Sequence, residues 1–450
     1  MVDVVLITSS SESLIKLSVY PYLRLGYLAS ELLESGFSVK LYDVDAERLN
    51  KKKIKRKLLA DNPSFIGITV MTRSLPFVYK VVNLIKDINK ETVIILGGPH
   101  VTSDPYIVNQ MGLKYGLRGD SEKSFLNLIN KLKNKNEIYD VPGLVFFDEH
   151  NIIINEKTVL NKIDVNLSNA FKLFNLKLYC DIVFPGVKSF TLDTSRGCPY
   201  NCIFCSNHSK TKVRLYEIEL VFRNIKILVN EYNVKWIAFV DDLFTFKRER
   251  VIKLCEKIIE ENLKFKWSCL TRVDWLDRDL LIIMKRAGLE NIIFGVESGS
   301  EEIRKLVNKN IPNNKYFEIL SLCKELNIKT LNTYIIGNPS ESYSDMLRTI
   351  IYSIKLDSDL AHYQLMSPLP GSPIFDTCIA EKVFDSEVWN LYMQKKIKEP
   401  FFYPKGKKFF FVRIIHLLAY ILFYLNPKKF VVIIKNVLKL LLYKLKQNIK

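Results

Sequence analysis

Apolar positions along the chain alternate between short continuous runs and helical spacing, and the changeover marks each element. Residues 2–8, Val-Asp-Val-Val-Leu-Ile-Thr, form an apolar run of the kind carried by buried parallel strands. A helical stretch from Pro21 to Ser35 stops at Gly36, and a strand follows over Ser38–Tyr42. Strand Phe65–Val70, a helix around Pro76–Ile88 and strand Val93–Leu96 come next, and the last opens on Gly97-Gly98-Pro99-His100-Val101-Thr102. This alternation predicts a doubly wound, Rossmann-like α/β domain over residues 1–145. Ligands of such sheets lie at strand carboxyl ends, and paired glycines let a backbone approach a flat or anionic ligand; the same pair also serves as a plain turn. Val141–Phe147 and Asn151–Asn155 predict a closing hairpin, and the asparagine-rich stretch Asn161–Leu178 predicts a surface linker within 146–185.

A second alternation fills residues 186–385. Strands are predicted at Phe190–Thr194, Trp236–Val240, Phe265–Leu270, Asn291–Val296, Thr330–Ile336 and Ala361–Met366. Helical stretches at Arg248–Asn262, Asp277–Ala287, Glu301–Asn308, Tyr316–Leu326 and Ser342–Lys355 intervene. Polar or glycine residues stand at the strand ends: Asp241-Asp242, Arg272, Glu297, Gly337-Asn338-Pro339 and Ser367-Pro368-Leu369-Pro370-Gly371. Six strands with their chemistry at the carboxyl ends predict a partial (β/α)6 barrel with its site at that mouth.

Charge changes the picture only in the region 386–450. The chain carries a formal +18, and residues 401–450 hold eleven Lys or Arg and no Asp or Glu, which leaves +7 for the first 400 residues (18 − 11). Phe409–Leu425 is apolar except for Arg413 and His416, at the lower limit for crossing a hydrocarbon core of about 30 Å. After Asn426-Pro427, Val431, Ile434, Val437, Leu438, Leu441, Leu442 and Leu445 share one helical face, with Lys435, Lys439 and Lys446 on the other. This C-terminal basic, apolar helical tail reads as a membrane-surface segment or as helices packed on the barrel. Phosphate contact needs no such apolar faces, so no nucleic-acid partner is expected.

The most specific chemistry is Arg196-Gly197-Cys198-Pro199-Tyr200-Asn201-Cys202-Ile203-Phe204-Cys205. Three thiolates at C-x3-C-x2-C, with no fourth cysteine nearby, leave one position of a four-ligand centre to something other than protein. A structural zinc completed by His208 is the alternative. No secretory signal is read at the N-terminus, so disulfides are not expected. Cys180, Cys255, Cys323 and Cys378 read as inert buried thiols, and Cys269 as a core residue of its strand.

With Phe204 in its aromatic position, this loop resembles the cluster loop of the radical S-adenosylmethionine (SAM) superfamily. The resemblance implies a four-iron, four-sulfur cluster on Cys198, Cys202 and Cys205, with SAM on the open iron. Gly295-Val296-Glu297-Ser298-Gly299-Ser300 is similar to a family segment, which implies Glu297 on the SAM ribose. It implies Asp241 or Asp242 near the SAM amino group, where either also reads as a helix cap. Arg272 is implied on the methionine carboxylate, with an ion pair to Asp274 as the plain reading. Gly337-Asn338-Pro339-Ser340-Glu341 resembles a family turn, in which Glu341 reads as a cap.

Residues 1–145 resemble the cobalamin-binding domain that precedes one large radical SAM class, with Gly97, Gly98 and His100 beside the corrin. Arg118-Gly119-Asp120-Ser121-Glu122 matches the Gly-Glu-Gly-Glu segment of that class only in part. The chain lacks Asp-x-His-x-x-Gly, which carries a histidine ligand to cobalt in many such domains. His100 is therefore expected to pack or hydrogen-bond rather than ligate, as in the methyltransferases of the class. The implied activity is methylation of an unactivated carbon of an apolar or lipid-like substrate. The implied reductant is a ferredoxin or flavodoxin, and the implied location is cytoplasmic, peripheral to the inner face of the cell membrane. A ring-forming or rearranging member, or a non-catalytic cobalamin or iron–sulfur binding protein, remains open.

Overall fold

The computed structural model describes residues 2–10, 19–161, 163–181, 184–206, 212–385, 387–398, 400, 402–404 and 406–448. Two compact units result, one of residues 1–179 with 376–400, the other of 180–375 with 401–450.

In the first unit, β1 (Val4–Ile7), β2 (Val39–Tyr42), β3 (Phe65–Thr69), β4 (Val93–Gly97) and β5 (Tyr115–Leu117) pair in parallel in the order β2-β1-β3-β4-β5. The hairpin β6 (Leu144–Phe147) and β7 (Ile152–Ile154) adds two antiparallel strands beyond β5. Helices α1 (Leu23–Glu34), α2 (Lys51–Asp61), α3 (Leu75–Ile88), α4 (Pro99–Ser103), α5 (Ile107–Gln110) and α6 (Glu122–Lys133) make the connections. Every residue of β1 and β3 is buried, as a sheet covered on both faces requires. Strand order reverses between β1 and β3, which puts a ligand-binding crevice outside their carboxyl ends.

The stretch 161–178 is not a solvated linker. Its asparagines are interleaved with apolar residues, and Leu167, Ala170 and Phe171 are fully buried in a 3-10 turn against α1. Gly26 of α1 makes room, since a Cβ there would stand 2.8 Å from Leu167 Cδ1 and 2.9 Å from Phe174 Cζ. Ser30 donates to the Asn166 carbonyl, and the Tyr179 hydroxyl donates to Asp43 at 2.8 Å.

The second unit is built on β8 (Ser189–Leu192), the two-residue strands β9 (Ser195–Arg196) and β10 (Arg214–Leu215), and then β11 (Trp236–Phe239), β12 (Lys266–Thr271), β13 (Leu289–Glu297), β14 (Lys329–Ile336) and β15 (Leu360–Leu365). The six longer strands form one parallel sheet in sequence order, β8-β11-β12-β13-β14-β15, the partial barrel that the pattern predicts. Helices α7 (Ile218–Asn230), α8 (Arg248–Glu260), α9 (Arg278–Arg286), α10 (Glu301–Leu306), α11 (Asn313–Glu325), α12 (Tyr343–Leu356) and α13 (Pro373–Ala380) follow along the chain. Sheet residues such as Phe239, Trp267, Cys269 and Phe294 are buried, whereas Val240 and Leu270 at the strand ends are 49% and 39% exposed, so the mouth is open. After α14 (Val388–Met393), which belongs to the first unit, the chain ends in α15 (Lys407–Tyr424) and α16 (Pro427–Asn448).

β15 ends the sheet, and an open sheet edge carries unpaired backbone groups. α15 covers it with hydroxyls. The Tyr420 hydroxyl accepts from Tyr363 N at 3.1 Å and donates to Tyr363 O at 3.0 Å. The Tyr424 hydroxyl does the same for Ala361, at 3.2 and 3.1 Å. Among the described residues no single helix is long and apolar enough to cross a membrane, and α15 and α16 meet at a 98° bend.

Candidate functional site

The cysteine loop leaves β9 and returns through β10, and these pair as a two-residue antiparallel ladder that clamps both of its ends. Beneath it lies a buried polar knot. Asp241, at the end of β11, accepts from Thr194 N at 3.1 Å, Thr194 Oγ1 at 2.7 Å and Ser195 Oγ at 2.5 Å. Arg250 of α8 donates to Thr194 Oγ1 at 2.9 Å and to the carbonyls of Thr194 and Tyr216 at 2.7 and 3.1 Å. Burial pushes the Asp241 carboxyl up to about 6 against the hydrogen bonds it accepts.

Asp241 is therefore spent inside the protein, 2% exposed, and the reading of it as a ligand-facing group is corrected. One backbone N–H and two hydroxyls share this carboxylate in a dry pocket. Its neighbour Asp242 is the exposed member, and its Oδ2 accepts from Gly197 N at 3.0 Å at the root of the loop.

The loop itself is held by main chain. Ile203 N donates to Val307 O at 3.3 Å, Ile374 N to Ile203 O at 3.1 Å, and Cys205 N to Cys202 O at 3.1 Å. Cys198, Cys202, Phe204 and Cys205 are all partly exposed and free of disulfides. Burial raises the Cys198 and Cys202 thiols, while Lys309 pulls Cys202 the other way. No group of three or more His, Cys, Asp or Glu side chains among the described residues converges on a single ion, and a cubane spreads its thiolates over different irons. His208 lies outside the described residues. Cys180, Cys255, Cys269, Cys323 and Cys378 are buried.

Glu297 ends β13 at a bulge, with φ +68° in the left-handed region, and is 6% exposed. Lys309 Nζ meets its Oε1 at 2.7 Å, with both side chains under a tenth exposed. A Cβ on Gly295 would lie 2.3 Å from Glu297 Oε1 and 2.4 Å from Lys309 Nζ, so a larger residue there would displace the ends of the ion pair. Sequence reasoning missed Lys309, which sits in an irregular turn twelve residues beyond Glu297 with no periodicity to announce it.

Arg272 uses its Nε and Nη2 on Asp274, at 2.9 and 2.7 Å, and lies 3.6 Å over the Tyr200 ring of the cysteine loop. The bidentate fork expected to grip a carboxylate is thus already occupied. Its Nη1 is buried and has no hydrogen-bond partner among the described residues, so one charge-assisted donor stands beside the loop. Tyr200 is fixed in turn by Trp275 Nε1 at 2.8 Å.

In the first unit, Gly98 has φ +97°, and a Cβ on it would lie 2.7 Å from Thr69 Oγ1 and 2.9 Å from Val70 N. Among the described residues a Cβ on Gly97 would meet only the Leu117 carbonyl, at 3.8 Å. Such a bare backbone edge beside the β1/β3 crossover, with Met71 41% exposed, fits a broad flat ligand such as a corrin. His100 is 1% exposed, with Nδ1 3.0 Å from Thr72 Oγ1 and its ring edge-on to Trp389 at 5.6 Å. It braces the loop from inside, the packing and hydrogen-bonding role expected of it.

Comparison with known proteins accords with both halves. The Radical SAM superfamily profile matches residues 192–351, and the B12 binding domain profile matches 18–129. The chain belongs to the cobalamin-binding radical SAM enzymes, and its cofactors are a four-iron, four-sulfur cluster, SAM and cobalamin. An uncharacterized methyltransferase of Pyrococcus horikoshii is 31% identical over 97% of this chain and 95% of its own length. An anaerobic magnesium-protoporphyrin IX monomethyl ester cyclase of Rubrivivax gelatinosus is 25% identical over 82% of this chain and 69% of its own. The fold is shared with the radical SAM methyltransferase TsrM of Kitasatospora setae, solved with tryptophan and a SAM analogue, at a TM-score of 0.71 and 18% identity, over 84% of this chain and 76% of that one.

Proposed function

We propose that this enzyme methylates an unactivated carbon of an apolar, lipid-like substrate, working in the cytoplasm at the inner face of the membrane with a ferredoxin or flavodoxin as electron source. When bound, the cluster and SAM supply a carbon-centred oxidant, and the corrinoid supplies the methyl group. Cys198, Cys202 and Cys205 are the proposed cluster ligands, with Phe204 beside them. Arg272 Nη1 offers a donor to the SAM carboxylate, Asp242 an acceptor to its amino group, and Glu297 an acceptor to its ribose. Lys309 holds the Glu297 carboxylate in place, and Gly97 and Gly98 keep the corrin bed clear.

The observation that carries methylation over other outcomes is the inward turn of His100. It supports a corrin held without a histidine beneath it, as expected for the methyltransferase branch. Anaerobically reconstituted enzyme, incubated with lipid extract and analysed by mass spectrometry, is expected to yield both 5′-deoxyadenosine and S-adenosylhomocysteine. Deoxyadenosine without S-adenosylhomocysteine would favour ring formation, the second reading that the porphyrin ester cyclase relative supports.

A further inference from the structure

α15 is apolar on both sides, which a helix at a protein surface normally is not. Its inner face is fixed: Val412, Ala419 and Phe423 are buried, Tyr420 and Tyr424 bond the β15 edge, and His416 Nε2 meets Tyr363 O at 2.9 Å. Its outer face has no cover among the described residues. Phe410, Phe411, Leu417 and Leu425 are 64%, 53%, 60% and 66% exposed, and Ile414, Leu418, Ile421 and Leu422 lie exposed between them. Past the 98° bend, α16 continues with exposed Phe430, Val431, Ile434, Leu438 and Leu442; the side chains of Leu441, Leu445 and Lys446 lie outside the described residues. Lys429 anchors the bend, 3.1 Å from Asp357 of the barrel unit and 3.9 Å over the Phe423 ring. A contiguous apolar surface of this kind marks an interaction site.

We infer that the outer face of α15, continued by α16, lies in the surface of an anionic bilayer while α15 stays fastened to the barrel edge. The charge selects this occupant: besides Lys429, which is paired with Asp357, ten cations and no acid within residues 401–450 suit anionic headgroups, each cation near such a surface adding to the attraction. A second copy docked through the same patch would face its own uncompensated charge. Spanning is disfavoured by the bend, by the length of each helix, and by the backbone bonds of Ala361 and Tyr363 that α15 would have to abandon. The inference deepens the membrane placement proposed above and rests on it, but not on the choice of reaction.

Flotation of the full chain with vesicles of phosphatidylcholine, with and without phosphatidylglycerol, tests it. At least about tenfold more protein should float with the anionic vesicles, falling in high salt. Alkaline carbonate should strip it off. Ile414→Glu/Leu418→Glu, at exposed positions, should lower flotation by at least about tenfold with an unchanged melting temperature. Three results overturn the inference: equal flotation of wild type and variant, retention through carbonate, or a wild-type dimer in sedimentation that this variant converts to monomer. Release of 5′-deoxyadenosine by the unmodified enzyme without vesicles reports the chemistry separately, so loss of docking and failure of the proposed reaction are distinguishable.

Discussion

At Glu297 a motif residue acquires its constraints from residues far along the chain. A non-glycine residue at φ +68° is strained by about 1–3 kcal/mol, and the ion pair with Lys309 holds it there. Removing one partner of a buried pair leaves an uncompensated charge, so Lys309→Met is expected to cost about 3–5 kcal/mol in denaturant unfolding. Glu297→Gln/Lys309→Met should recover most of that stability while still binding SAM poorly, which equilibrium dialysis would show. Glu341 is the cap that its turn suggests: its Oε2 accepts from Gly337 N at 2.7 Å and Asn338 N at 2.9 Å. Burial pushes its carboxyl from an ordinary 4.5 up to about 7, so the folded chain holds that proton more tightly than the unfolded one. Its contribution is then complete below pH 4.5 and lost as pH rises through about 7. Glu341→Gln, whose amide oxygen still accepts both N–H groups, should flatten that fall when unfolding is measured between pH 5 and 8.

At the scale of elements, the six barrel strands were legible because each is an apolar run ended by a polar or glycine residue, and all six appear within one or two residues of expectation. Local pattern was enough there because most positions of these strands are buried. The polar stretch 161–178 was misread for the converse reason: its apolar residues have no period, yet Leu167, Ala170 and Phe171 are buried in a turn against α1. The hydroxyl cover of β15 was equally invisible, since Tyr420 and Tyr424 look like ordinary members of an apolar helix. Tyr420→Phe/Tyr424→Phe keeps the rings and removes the hydroxyl partners of two backbone N–H groups and of the Ala361 carbonyl, while Tyr363 O keeps His416 Nε2 and His362 Nδ1 loses its Tyr420 contact. A loss of about 1–3 kcal/mol at each residue is expected in thermal or denaturant melts.

At the scale of the molecule, the chain passes from the first unit to the second, returns at residues 376–400, and leaves again. The returning α14 packs on α3 and α5, and its Trp389, 2% exposed, backs the His100 ring. Trp389→Ala should thus weaken corrinoid binding several-fold by absorbance titration, while the iron content of the reconstituted second unit stays unchanged. A residue distant in sequence then affects one cofactor and spares the other.

The sequence by itself determined the two α/β layers, the three thiolates with one open position, the glycine loop and the basic tail, because periodicity and short-range spacing are local properties. Only the tertiary structure decided that Asp241 is buried and Asp242 exposed, that Arg272 spends its fork on Asp274, and that Lys309 meets Glu297. Those outcomes depend on burial and on which distant segments meet, and neither is written in the spacing of residues along the chain.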